Sequence, residues 1–185
     1  MKHKLLKFST LILLLLTACG NSGQSADDSK QGTKEFRSPK GDIIAVRTLK
    51  GADTSWTFYN ALGEALVPGC ESVEVVSTYP SEQPKEVLFN VKGQQTMILF
   101  YDNMEKWCEG RIKNGLRDGH WTGYDQSTGQ KQSETDYVEG LEHGSYTVYN
   151  YNGTPRIIGQ NNNGKPTGEW TIYDQDGNFV GTKQY

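Results

Sequence analysis

The chain has 185 residues, 19 Lys and Arg against 22 Asp and Glu, and a formal charge of −3. That balance supplies no concentrated basic surface for neutralising nucleic-acid phosphates, so nucleic acid is excluded as a partner. Gly is frequent at 21, and Tyr at 10 and Trp at 4 are plentiful. This mixture favours strands and tight turns over helices.

The first element in chain order is an export signal over residues 1–18. Lys2, Lys4 and Lys7 precede an apolar run from Phe8 to Leu16, which closes on Leu16-Thr17-Ala18-Cys19. A basic start, a short apolar stretch and small residues at a cleavage point define a secretory signal. The run is shorter than the ~20 residues that a spanning helix needs. Cleavage would remove three lysines and no acid, leaving 16 basic and 22 acidic residues, a formal −6.

Leu-Thr-Ala-Cys resembles the lipobox of bacterial lipoproteins. The resemblance implies that the Cys19 thiol receives a diacylglycerol, that cleavage falls before it, and that the chain is held on a membrane. A lipid with two or three acyl chains makes such attachment stable. Gly20 stands where an Asp would resemble an inner-membrane retention signal, so the outer membrane is the expected location, facing the periplasm or the surface. Residues 19–35 read as a flexible tether, being mostly Ser, Gly, Gln, Asp and Lys with little to bury.

Residues 36–97 follow as a β-rich region. Its strand-like runs are Ile43–Thr48, Val73–Thr78 and Val87–Val91, and Trp56-Thr-Phe-Tyr59 with Gly63 suggests a diverged repeat. With Cys19 lipidated, Cys70 and Cys108 form an even pair in an oxidising compartment. A disulfide between them and two free buried thiols read identically in the sequence. Without Cys-x-x-Cys spacing or paired histidines, no metal site is expected.

Residues 98–185 carry a tandem repeat. Gly115-Leu-Arg-Asp-Gly119-His-Trp121-Thr-Gly-Tyr124 is followed by Gly129. Gly140-Leu-Glu-His-Gly144-Ser-Tyr146-Thr-Val-Tyr149 is followed by Gly153, and Gly164-Lys-Pro-Thr-Gly168-Glu-Trp170-Thr-Ile-Tyr173 by Gly177. The period is 24 to 25 residues. An earlier unit begins near Ile98-Leu-Phe-Tyr101, with Glu105 in the place of the turn glycine. The pattern resembles the MORN repeat, in the bacterial variant of the YwqK-like antitoxin family, over about residues 101–185. That resemblance implies a protein that binds a partner, in its specific form a toxin-neutralising antitoxin or immunity protein.

Alternation within each unit sends Trp121, Tyr146 and Trp170 to one strand face, and Thr122 with Tyr124, Thr147 with Tyr149 and Thr171 with Tyr173 to the other. Asn152-Gly153 and Asp176-Gly177 are strong hairpin signals. The expected fold is therefore all-β: tandem β-hairpins pairing into an elongated antiparallel meander sheet. Lys183 and Gln184 are expected to blunt its last edge.

Catalysis finds no support in the motifs. His120 and His143 fall at variable repeat positions beside glycines, and there is no Gly-x-Ser-x-Gly or phosphate-cradling Gly-x-Gly-x-x-Gly. Neither an enzyme activity nor a cofactor is expected. The leading expectation is a membrane-held protein-interaction surface. Trp121, Tyr146 and Trp170 read mainly as packing residues, and Tyr124, Tyr149 and Tyr173 as the better ligand surface. Glycan or cell-wall binding by these aromatics is the alternative.

Overall fold

The computed structural model describes residues 31–185. The expected signal sequence, the expected lipidation site Cys19 and the expected tether up to residue 30 lie outside the described residues.

The described chain is all-β, as expected, and falls into two antiparallel sheets. The smaller joins β1 (Gln31–Arg37), β2 (Ile43–Lys50) and β3 (Asp53–Phe58). The larger has ten strands in strict chain order. They are β4 (Ser72–Thr78), β5 (Pro84–Val91), β6 (Gln94–Phe100), β7 (Lys106–Lys113), β8 (Leu116–Tyr124), β9 (Lys131–Val138), β10 (Leu141–Tyr149), β11 (Pro155–Asn162), β12 (Lys165–Tyr173) and β13 (Phe179–Gln184).

Two sequence boundaries move. The tether was expected to reach residue 35, but β1 starts at Gln31 and pairs from Gln31↔Lys50 to Arg37↔Ile43. Only Phe36 of this strand is buried. An edge strand needs backbone partners more than apolar side chains, so its composition reads like a linker. The division at residue 97 falls inside β6, and the ten-stranded sheet runs continuously across it.

The core sits where the two sheets meet. Phe36, Ala45 and Phe58 of the small sheet pack on Val87, Phe89, Ile98 and Phe100 of the large one, with Met104 beside them. The Phe58 ring stacks 5.8 Å from Phe100 and meets Phe89 edge-on at 5.4 Å. Strand alternation places Leu99 on the opposite face from Ile98 and Phe100. There Leu99, Cys108 and Trp121 form a second buried cluster, with Met97, Ile112 and Tyr137 packed against it. The molecule is thus a sandwich near β4–β6 and becomes a single sheet toward β13.

This two-faced core overturns the possible disulfide. Cys70 packs against the cluster between the sheets, whereas Cys108 lies in the cluster on the far face. The sheet backbone stands between them, and both thiols are free. Cys70 donates to the Ser72 carbonyl at 2.9 Å, and burial pushes the Cys108 thiol pKa up.

Two kinds of turn alternate along the repeats. The first glycine of each Gly-x₃-Gly closes a two-residue turn with both residues at positive φ: Asn114-Gly115, Glu139-Gly140 and Asn163-Gly164. Such turns match the twist of paired strands. The longer loops at the other end close on Asp125, Asn150 and Asp174, with Gly129, Gly153 and Gly177 at positive φ. In the loop from Tyr101 to Glu105 the residue at positive φ is Met104, φ 68°, not Glu105. Its side chain fills the core at 2% exposure, and that burial offsets a conformation glycine would adopt more easily.

Candidate functional site

The cross-strand register turns the repeat into two chemically different faces. One far-face row runs Gly110↔Trp121↔Thr135↔Tyr146↔Gly159, with Trp170 on Gly159 and paired next to Lys183. The Trp121 indole lies on Gly110 and the Trp170 indole on Gly159, where added Cβ atoms would fall 2.4 and 2.2 Å from the rings. Each indole N–H then reaches a backbone carbonyl beyond its glycine: Trp121 donates to Arg111 at 3.1 Å, and Trp170 to Gln160 at 3.2 Å. These strand glycines are the seats of the repeat, and they lie outside the Gly-x₃-Gly motif from which the repeat was read.

The row is packed unevenly. Trp121 is 3% exposed, covered by the Arg117 guanidinium at 4.2 Å and by Tyr137 edge-on at 6.1 Å. Tyr146 and Trp170 are only half-buried, with rings 5.2 Å apart, and Tyr185 lies 5.4 Å beyond. Val148, Ile157 and Ile172 line up beside them on the same face. Packing and presentation therefore divide along the row, at Trp121 for the first and at Tyr146 and Trp170 for the second.

The other face carries the row Ile98↔Glu109↔Thr122↔Glu134↔Thr147↔Ile158↔Thr171↔Thr182. Here the repeat builds an ionic device twice. Lys106 donates to Glu109 at 2.7 Å and sits 4.5 Å over the Tyr124 ring, whose hydroxyl donates to Glu109. Twenty-five residues later, Lys131 donates to Glu134 at 2.9 Å and sits 4.5 Å over the Tyr149 ring, whose hydroxyl donates to Glu134. Burial, followed by the paired glutamate, raises both tyrosine pKa values.

Tyr173 breaks the series. Ile158 occupies the glutamate position, and Tyr173 packs edge-on against Phe179 at 6.5 Å. Of the three tyrosines expected to form a ligand surface, two have their hydroxyls and one ring face engaged within the sheet. The sequence signal for this was present in Lys106-x-x-Glu109 and Lys131-x-x-Glu134, and the repeat alignment passed over it.

His120 is less isolated than its variable position suggested. Nδ1 lies 3.0 Å from Asp136, and Nε2 lies 3.4 Å from Glu134. The Asp136 hydrogen bond is the largest influence, and its pKa rises above the ordinary histidine value despite burial. Asp136 also accepts from the Ser145 N–H at 3.1 Å, tying β8, β9 and β10 together. Burial alone would raise the Glu134 pKa, but hydrogen bonds from Tyr149 and Lys131 hold it low. His143 is exposed.

A third feature escaped the sequence reading. Each long-loop end carries a β-bulge at the same repeat position, where one strand step opposes two. The extra residues are Trp107, Gln132, Arg156 and Val180, and all four are exposed. Bulges re-aim side chains and recur near functional sites. Lys183, expected with Gln184 to blunt the β13 edge, lies on that strand 4.3 Å over the Tyr185 ring. Among the described residues, no group of His, Cys, Asp and Glu could hold a metal ion.

No protein-family model and no curated protein matches this chain. The chemistry of the site therefore rests on the residues themselves.

Proposed function

We propose that this chain is a non-catalytic lipoprotein, held on a membrane through Cys19, whose repeat sheet docks a protein partner on the far face of β10–β12. The observation that carries the reading is the group of half-buried Tyr146, Val148, Ile157 and Trp170 with exposed Ile172, on a sheet face that no other element covers among the described residues. A rigid aromatic centre with an aliphatic surround suits a protein interface, where Tyr and Trp supply much of the binding energy. The likeness of the repeats to YwqK-like antitoxins supports a partner of the toxin kind, neutralised by an immunity protein. An outer-membrane location follows from the same lipobox reading.

Photocrosslinking on intact membranes tests this proposal. A benzoylphenylalanine at Ile172 should trap one discrete partner, while the same group at Thr182, on the opposite face, should not. Equal trapping at both positions, or at neither, removes the far face as the docking surface.

A further inference from the structure

A groove of about 580 Å³ lies at the long-loop end of the sheet, along the long loops of the first, second and third repeat units. That volume falls within the ~300–1,000 Å³ typical of small-ligand sites. Two bulge residues, Gln132 and Arg156, flank it, and its floor and walls include Tyr146, Tyr149, Tyr151 and Tyr173.

The lining narrows the class of ligand by elimination. Asp125 and Asp174 balance Lys131 and Arg156, so the groove has no net charge with which to select a polyanion or polycation. Val148 is the single aliphatic side chain lining it, which gives an acyl chain nothing to follow. What the groove does offer is aromatic faces beside planar amide, guanidinium and carboxylate groups. That set matches a ring with apolar C–H faces and a rim of hydroxyls, since planar groups can donate to or accept from adjacent hydroxyls.

Several of these groups are available. Tyr151 is 74% exposed at the tip of its loop. Arg156 makes no hydrogen bond or ion pair with the described residues, and the same holds for the side chains of Gln132 and Gln175. The four turn bonds of Asp125 all converge on Oδ1, leaving Oδ2 as an acceptor directed by a fixed loop.

From this lining we infer that the groove binds a neutral saccharide chain. One sugar ring stacks on Tyr151, and its hydroxyls are read by Gln132, Arg156 and Asp125. The groove borders the far-face apolar patch and shares Tyr146 and Val148 with it, but Ile157, Trp170 and Ile172 do not line it.

Titration calorimetry of the full chain in detergent micelles provides the test, with cellohexaose, maltohexaose and chitohexaose as neutral probes and polygalacturonate as the acidic one. At least one neutral hexasaccharide should bind. Tyr151→Ala and Arg156→Ala, both at exposed positions, should each weaken it about tenfold, the usual scale for losing an anchoring aromatic or arginine. Ile172→Lys should leave it unchanged, which separates saccharide binding from protein docking on the Ile157, Trp170 and Ile172 part of the far face. The inference is overturned if no neutral probe binds at millimolar concentration, or if binding survives both substitutions. Tighter binding of polygalacturonate than of any neutral probe overturns it as well.

Discussion

The Trp170 indole rests on the backbone of Gly159, in the same arrangement that Trp121 makes with Gly110 forty-nine residues earlier in the chain. In both pairs the ring occupies the space of the missing side chain. A methyl group at Gly159 would lie 2.2 Å from the ring carbons, so the indole or the strand must move.

Gly159→Ala should therefore destabilise the fold by about 1–3 kcal/mol, the usual range for overpacking. Urea unfolding followed by tryptophan fluorescence measures it. A Gly159→Ala/Trp170→Leu double variant should lose less than the sum of the two single changes, because the clash requires both groups. Full additivity would show that the ring does not use the glycine as its seat.

The two tryptophans should differ in their cost of removal. Trp121 is buried beneath Arg117 and Tyr137, so Trp121→Ala should cost about 3–5 kcal/mol, as for a large aromatic lost from a core. Trp170 is half-buried, and Trp170→Ala should cost clearly less. Chemical denaturation of both variants under identical conditions ranks them, and equal losses would contradict the uneven packing of the row.

His120 gives the fold a pH dependence of definite sign. Its folded pKa is raised, first by the hydrogen bond to Asp136, so the folded state binds the proton more tightly than the unfolded chain. The stabilisation is fully present below the unfolded value of ~6.5 and is lost as pH rises through the folded pKa. Melting temperatures of the wild type and His120→Gln should thus converge on going from pH 5 to pH 9. A gap that widens with pH would reverse the assignment.

The thiols should react at very different rates. Cys70 is partly exposed and Cys108 is buried, and neither is tied up in a disulfide. Maleimide labelling read by peptide mass should modify Cys70 in the native protein and Cys108 only after unfolding. A Cys70–Cys108 linked peptide in unreduced protein would overturn the placement of the two residues on opposite faces of the sheet.

Much of the architecture was legible in the residues. The repeat glycines and the Trp-Thr-x-Tyr alternation specify hairpins, and strand period 2 separates Trp121 from Thr122 and Tyr124 without any structural knowledge. The misreadings share one cause: they concern relations between strands that a single strand cannot display. Gly110 and Gly159 look incidental until their neighbours bring the indoles over them. Cys70 and Cys108 looked pairable because chain order does not reveal which sheet face a residue takes. Gln132 and Arg156 stand out only after register shows an extra residue opposite one partner. The polar strand at Gln31–Arg37 was hidden because backbone pairing leaves little trace in composition.

The strict chain order of the ten-stranded sheet bears on how the molecule forms. Every pairing in it joins consecutive strands, so no contact waits for a distant segment to arrive. Topologies built from such local closures fold quickly for their strand content, and structure can spread by one hairpin at a time from an existing end. The doubly covered region around Phe89 and Phe100 is the natural nucleus, because only there does a new strand gain burial on both sides. Excising residues 125–149 would remove one loop and one whole hairpin while leaving the phase of the remaining strands intact. The sheet is thus extensible in steps of a single unit, and its length can vary without redesign of either end.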